Sequence, residues 1–405
     1  MKKTFLLVAL TLLNFWGPPT ACLASEKNIV ILISFDGFRW DYIQKGKSPN
    51  LEKLAAEGVA ALSLKPVFPS KTFPNHYSTV TGLYAESHGL IANNYENPAT
   101  GEKYSLRDTA AVRNPRWYQG EAIWETAERQ GVICANYFWP GSEIGARHRR
   151  ATYIQHYEHE RPYKERVDGV LEWLKLPERK RPRFITLYFD AVDSKGHKFG
   201  PNAPETEAAI AQVDSLLGYL RDGIEKIGIS AKTNIVITSD HGMAEIDASR
   251  SVNVEELLGE IQCRITDSGP IMFLRPKNAS VEETAQALRK NAKYFRVLTR
   301  DNMPKDYHFS RHPFIPPIIL LADLGWSLTT NRGPLTIRGH HGFDPNHIDM
   351  HGIFYAAGPN FKKGFKTGTQ RNIDIYPLLC KILGIIPRQN IDGKLEMIES
   401  VLVSE

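Results

Sequence analysis

Residues 28–37 read Asn-Ile-Val-Ile-Leu-Ile-Ser-Phe-Asp-Gly. The run from Ile29 to Phe35 is uncharged and rich in β-branched side chains, the composition of a strand buried on both faces of a parallel sheet. It stops abruptly at Asp36-Gly37, an acid on a turn. The same pattern recurs downstream. FITLYF (184–189) runs into DAVDSKGH, which supplies Asp190, Asp193 and His197, and NIVIT (234–238) runs into Ser239-Asp240-His241-Gly242. Other strand-like runs lie at 132–138, 270–274, 318–321 and 352–356. Between them the spacing predicts helices. One has Ser48 as cap, Pro49 in the first turn and Gly58 as stop, and others cover 206–227, 281–291 and 375–383. Ser280 and Glu283 form a capping box for the helix over 281–291. Strands alternating with helices predict an α/β protein with a mostly parallel central sheet flanked by helices. Residues 259–336 are richer in proline and read as a small irregular excursion.

The chain has 405 residues, 42% of them hydrophobic and 23% charged, which excludes a disordered or collagen-like chain. With 50 basic and 45 acidic residues, the net charge of +5 is too small and too dispersed for a nucleic-acid binder. Residues 1–24 have the order of a secretory signal peptide: Lys2 and Lys3, an apolar stretch over 5–16, then small residues with cleavage after Ala24. A lipoprotein anchor at Cys22 is disfavoured because Pro19 stands where such signals carry leucine. The apolar stretch is too short to span a bilayer, and no later one approaches the required length. These features predict a single domain over 25–405, periplasmic or secreted, without a transmembrane span. Cys134, Cys263 and Cys380 remain after cleavage, widely spaced, compatible with one disulfide and a free thiol or with three buried thiols.

The chemistry-bearing residues sit where strands end, the place where open α/β sheets bind ligands. Asp36, the Asp190–His197 cluster, Asp240-His241 and the run Gly339-His-His-Gly-Phe-Asp344 bring together carboxylates and imidazoles suited to one or two metal ions. Thr72, in FPSKTFPNHYS, falls at the start of a helix, where free N–H groups favour negative charge. A threonine hydroxyl there serves either as a nucleophile whose pKa a metal lowers or, like Ser70, as a simple cap.

Taken in order, SFDGFR, FPSKTFPNHYSTVTGLYAESHGLIANN, YFDAVDSKGH, SDHGM and HHGFD resemble the nucleotide pyrophosphatase/phosphodiesterase family of the alkaline phosphatase superfamily, in its secreted bacterial type. The likeness extends through FWPGSE (138–143), AAGPNFKKG (356–364) and NIDIYPLLCKILGI (372–385). It implies an alkaline-phosphatase-like fold and two zinc ions, one held by Asp36, Thr72, Asp240 and His241, the other by Asp193, His197 and His341. Only the family pattern favours His341 over His340. The D-x-x-x-H spacing favours Asp193 over Asp190, which reads as supporting. Thr72 would attack phosphorus, forming a covalent phosphothreonine that water then hydrolyses, and Asn93 would donate to a nonbridging phosphoryl oxygen.

The resemblance also implies that nucleotide-cleaving members hold the base between two aromatic rings, here Phe73 and Tyr188. The small-molecule partner is then a nucleotide ester or pyrophosphate, and a nucleoside monophosphate is the product. Val192 replaces a proline common in that segment. Trp117, Tyr118 and Trp139 are further candidates for the cleft wall. The competing readings are a choline-phospholipid phosphodiesterase on the same scaffold, a phosphomonoesterase, and a non-catalytic metal-binding descendant.

Overall fold

The computed structural model describes residues 28–330 and 336–404; the expected signal segment lies outside them. Eight strands form the central sheet: β1 (Ile29–Phe35), β2 (Val59–Ala61), β3 (Cys134–Tyr137), β4 (Tyr153–Gln155), β5 (Phe184–Phe189), β6 (Thr233–Thr238), β7 (Phe354–Ala357) and β8 (Phe365–Thr367). Their spatial order is β8-β2-β7-β6-β1-β5-β3-β4. Only β7 runs against the others. β1 lies in the middle, between β5 and β6, and all seven of its residues are buried. That position explains its unbroken apolar composition.

The two-residue period of β1 divides its side chains between two cores. Ile29, Ile31, Ile33 and Phe35 pack on one face against helices α1 (Pro49–Glu57), α3 (Tyr163–Lys175) and α5 (Pro204–Ile227), through Leu51, Val167 and Ile210. Val30 and Leu32 face α2 (Thr72–Thr81) and α6 (Ile375–Leu383), through Val80 and Leu379. A further helix, α4 (Ala191–Phe199), follows β5 directly. Ser48 precedes α1 as expected but makes no side-chain cap bond. Asp214 of α5 does that work, accepting from the Leu51 N–H at 2.7 Å and the Asn50 N–H at 3.2 Å.

The segment near 259–336 is more regular than its proline content suggests. Strands Cys263–Ile265, Ile271–Pro276, Phe295–Thr299 and Ile318–Ala322 form an antiparallel sheet. Helix Val281–Lys290 carries the expected capping box, and Leu288 joins Met272, Leu274, Phe295, Ile318 and Leu320 in a separate core. Pro304, Pro313, Pro316 and Pro317 are confined to the connection before the last strand, so they punctuate the sheet without breaking it. Among the described residues Cys134, Cys263 and Cys380 are free thiols, and no described helix is long and apolar enough to cross a membrane.

Glu86 clamps that connection to the main body. Its Oε2 accepts from the Ser310 and Arg311 backbone N–H groups at 2.7 and 2.8 Å, and Oε1 accepts from Arg311 Nε at 3.0 Å. Burial alone would raise its pKa, but these donors outweigh burial and hold it below the usual glutamate value. The stabilisation is therefore present above the unfolded-state pKa and is lost as pH falls through the depressed folded value. Glu86→Gln should cost about 1–3 kcal/mol at neutral pH, and the difference from the parent should shrink in acid. Chemical denaturation at both pH values measures it.

Candidate active site

Because β1, β5 and β6 are adjacent and in register, their carboxyl ends deliver acids to one place. Phe35 pairs with Phe189 and Ser34 with Thr238, so Asp36, Asp190 and Asp240 emerge side by side. The Asp36 carbonyl accepts from the Asp193 N–H at 3.0 Å, and Asp240 Oδ1 accepts from the Gly37 N–H at 3.2 Å. Gly37 has φ +68°, and a Cβ there would lie 2.8 Å from Asp193 Cα. The turn after β1 therefore needs glycine to close against α4.

Three imidazoles complete the cluster. His197, His241 and His341 each donate Nδ1–H to a backbone carbonyl at 2.9 Å, those of Gly339, Gly242 and Ser70 respectively. Carbonyls only accept, so the neutral rings carry their proton on Nδ1 and turn a bare Nε2 lone pair inward. The opposing groups are carboxylates. His241 Nε2 lies 3.0 Å from Asp240 Oδ2 and 3.5 Å from Asp36 Oδ1, and Asp193 Oδ1 lies 3.4 Å from His197 Nε2 and 3.8 Å from His341 Nε2. Asp36 Oδ1, Asp193 Oδ1 and Asp240 Oδ2 are all buried without a hydrogen-bond donor. Lone pairs facing lone pairs in a buried pocket require positive charge between them.

The acid–base balance expresses the same demand. Burial, then the charges of Asp240 and Asp193, push Asp36 well above the ordinary aspartate range. Asp240 is drawn down to about 2, since His241 and His76 outweigh its burial. Burial would lower His241, but Asp240 raises it overall. Divalent cations would meet this demand, and the donors fall into the sets Asp36/Asp240/His241 and Asp193/His241/His341. A third grouping includes His340 with His197 and His341. The His341 N–H, however, donates to His340 Nδ1 at 2.9 Å, which leaves the neutral His340 ring with its proton on Nε2. That tautomer offers a donor where a metal needs a lone pair, a physical reason for preferring His341.

Thr72 opens α2, with Lys71 as the N-cap, and its Oγ1 stands 3.3 Å from His241 Nε2. Ser70 is engaged elsewhere, donating to the Phe343 carbonyl at 2.7 Å. Asn93 Oδ1 accepts from the Phe73 N–H at 3.0 Å, which orients the amide and leaves Nδ2 without an acceptor among the described residues. His76 is buried behind the cluster. Its ring is 2.9 Å from the Thr72 carbonyl, 2.8 Å from Ser34 Oγ and 3.4 Å from Asp240 Oδ2, so it braces the acid from behind. His88 is structural, bound to Ser78 Oγ at 2.9 Å, with burial lowering its pKa to about 3. Asp190 leans away from the cluster onto the fully buried Arg166, at 3.2 Å.

These residues open into a cavity of about 660 Å³. Phe73 and Trp139 line it as expected, whereas Trp117 and Tyr118 are in the core and do not. Tyr188 differs from its expected part. It is 7% exposed, and its hydroxyl donates to Asp36 Oδ2 at 2.6 Å, so it orients a carboxylate more than it offers a free ring face. The accessible ring is Tyr157, 43% exposed and lining the same cavity. Its backbone N–H is held by Glu143 Oε1 at 2.7 Å, while Glu143 Oε2 takes Arg113 and His156. Sequence reasoning missed Tyr157, Glu143 and Arg113. The available cue was the polar-aromatic run YIQHYEH after FWPGSE.

With this geometry established, similarity to known proteins is decisive. Residues 30–344 match the model of the Type I phosphodiesterase / nucleotide pyrophosphatase family. The chain belongs to this family. Ectonucleotide pyrophosphatase/phosphodiesterase family member 1 of Rattus norvegicus is 36% identical over 397 residues, covering 93% of this chain. The chain spans only 42% of that rat protein's length. The bis(5'-adenosyl)-triphosphatase of Xenopus laevis is 33% identical over 377 residues, covering 93% of this chain and 82% of that protein. Among solved structures, murine ectonucleotide pyrophosphatase/phosphodiesterase 5, an inactive threonine-to-alanine form in complex with AMP, superposes with a TM-score of 0.88 at 30% identity. That match covers 93% of this chain and all of the murine one. The family fold is thus the eight-stranded mixed sheet described above, and the candidate metal-binding cluster lies at its carboxyl edge.

Proposed function

We propose that this family member is a two-zinc hydrolase of nucleotide phosphodiesters and pyrophosphates, with Thr72 as its nucleophile. The observation that carries the reading is the convergence of three donorless buried carboxylate oxygens and three inward Nε2 lone pairs beside the Thr72 hydroxyl. Asp36, Thr72, Asp240 and His241 would hold one zinc, and Asp193, His197 and His341 the other. Such a pair supplies Lewis acidity that lowers the pKa of a hydroxyl and stabilises charge on the entering and departing oxygens.

The chain's own groups then act in sequence. Thr72 Oγ forms a bond to phosphorus as the bond to the leaving oxygen breaks. Asn93 Nδ2 donates to a nonbridging oxygen, where charge builds in the transition state. His76 and Tyr188 keep Asp240 and Asp36 in position. Water cleaves the phosphothreonine in a second step, returning the Thr72 hydroxyl and releasing a nucleoside monophosphate. Phe73 offers a ring for the base, with Tyr157 across the cavity.

The AMP held by the murine relative and the dinucleotide named for the Xenopus relative support a nucleotide over a choline lipid. Residues 1–24 support export, periplasmic or secreted, and 25–405 reads as a single catalytic unit; the secreted bacterial type rests on the resemblance of the motifs. Parallel assays on a nitrophenyl nucleotide ester, a choline phospholipid and a phosphate monoester test the substrate class. The nucleotide should lead by about ten- to a hundredfold, the worth of one stacked base. Faster turnover of the lipid or the monoester would overturn the assignment.

A further inference from the structure

The N-cap of the helix that carries Thr72 breaks a local rule. Helix N-termini favour Ser, Thr, Asp or Asn at that position, and their dipole repels cations. Yet α2 is capped by Lys71, whose side chain makes no cap bond. That side chain is also buried, 5% exposed, and borders the imidazole cluster. A Cβ on Gly342, next to His341, would lie 2.7 Å from Lys71 Cε, so the lysine stem runs tight across a glycine whose φ is +112°. An ammonium group placed there meets the positive end of a helix and the neighbouring candidate cation sites. It needs an anion from elsewhere.

The anion comes from the small antiparallel sheet. Asp267 lies in the loop between strands Cys263–Ile265 and Ile271–Pro276. Its Oδ1 accepts from the Ser268 N–H at 2.9 Å. Its Oδ2, buried without a hydrogen-bond donor, stands 3.8 Å from Lys71 Nζ. The loop itself is pinned, since Gly269 exchanges backbone bonds with Leu328 at 2.9 and 2.8 Å. A Cβ on Gly269 would lie 2.6 Å from His340 Nε2, so the loop is pressed against the histidine pair.

A buried ion pair seldom gains net stability over an apolar pair of the same volume; what it can supply is direction. Here it fixes a short segment with two tasks. The Ser70 carbonyl accepts from His341 Nδ1–H at 2.9 Å, and the Ser70 hydroxyl donates to the Phe343 carbonyl at 2.7 Å. Thr72 follows, its Oγ1 3.3 Å from His241 Nε2. The Lys71 side chain, crossing Gly342, adds a third tie between 70–72 and 341–343. We propose that Asp267 is a positioning residue for the reaction: by anchoring Lys71 it holds the Thr72 hydroxyl and the His341 ring in place. The inference rests on Thr72 being the nucleophile. It gives the small sheet a part in catalysis through a residue that does not line the cavity.

Asp267→Asn keeps the shape of the side chain and removes its charge. On a nucleotide ester, kcat should fall by about ten- to a hundredfold, the cost of a displaced reacting group. KM should change little, because the cavity wall is untouched. Hydrogen exchange of the metal-free protein gives a readout independent of turnover. Peptides spanning 68–75 and 339–345 should exchange at least about tenfold faster than in the parent. Lys71→Met/Asp267→Leu separates position from stability, since this apolar pair should melt no lower than the parent and still turn over slowly. Unchanged kcat in Asp267→Asn, unchanged exchange in both segments, or full kcat in the apolar double variant would overturn the proposal. A parent without turnover would refute the phosphodiesterase reading instead, and exchange would then decide the anchor on its own.

Discussion

Thr72→Ala should lower hydrolysis of a nucleotide ester by about 10⁴-fold or more while leaving the metal content and the fold intact. The expectation separates the nucleophile from its surroundings. Among the described residues the hydrogen-bond contact of Thr72 Oγ1 is His241 Nε2 at 3.3 Å, and Lys71 rather than Thr72 occupies the N-cap of α2. Removing the hydroxyl therefore deletes no cap and breaks no buried network. Asp36, Asp240 and His241 remain to hold the ion beside it, and Asp193, His197 and His341 are untouched. Ser70→Ala is the matched control. Ser70 donates to the Phe343 carbonyl, so its loss should weaken a loop contact and spare most of the activity. Metal analysis and kinetics on the same samples decide the matter. A fully loaded Thr72→Ala enzyme that still turns over would mean that water attacks phosphorus directly.

The strands that carry this chemistry were legible because burial on both faces leaves them uncharged and mostly apolar. Ile29–Phe35, Phe184–Phe189 and, over 234–238, most of Thr233–Thr238 were visible as uncharged, largely apolar runs, and each lies near the centre of the sheet. The sheet's margins were not visible. Val59–Ala61, Tyr153–Gln155 and Phe365–Thr367 are three residues each, too short for any period to emerge. Nor does an apolar run carry direction, so nothing announced that Phe354–Ala357 runs antiparallel. Proline density misled in the 259–336 segment, where Pro304, Pro313, Pro316 and Pro317 sit between strands and Pro276 ends one. The missing cap at Ser48 had a tertiary cause, since Asp214 comes from a helix more than 150 residues later.

The candidate site divides in the same way. Its candidate ligands lie at or just after strand ends, so acids and histidines placed there were readable in order, and the structure brings Asp36, Asp193, His197, Asp240, His241 and His341 together. The choice between His340 and His341 needed the tautomer, which depends on where a backbone N–H points. Tyr188 was placed on the correct strand, but strand position does not disclose that its hydroxyl reaches Asp36. Tyr157 comes from a loop after an edge strand, where no periodicity singles out one aromatic residue from its neighbours.

Chelation of the zinc-loaded protein should abolish hydrolysis and lower the melting temperature by at least about 5 °C, with zinc restoring both. The reason lies in what the metal-free cluster must tolerate. Asp36, Asp193 and Asp240 bury oxygens without donors, and each such atom costs about 1–3 kcal/mol or more when charged. Burial and the neighbouring carboxylates already force Asp36 well above its usual range, so the stripped site partly relieves itself by holding protons. Binding a cation must expel them. Affinity should therefore fall as pH drops through the raised Asp36 value, and zinc uptake should release protons into a weakly buffered solution. Calorimetry in buffers of different ionisation enthalpy counts those protons directly. Zinc uptake without proton release, or a chelated enzyme with unchanged melting temperature, would show that the cluster is satisfied without metal.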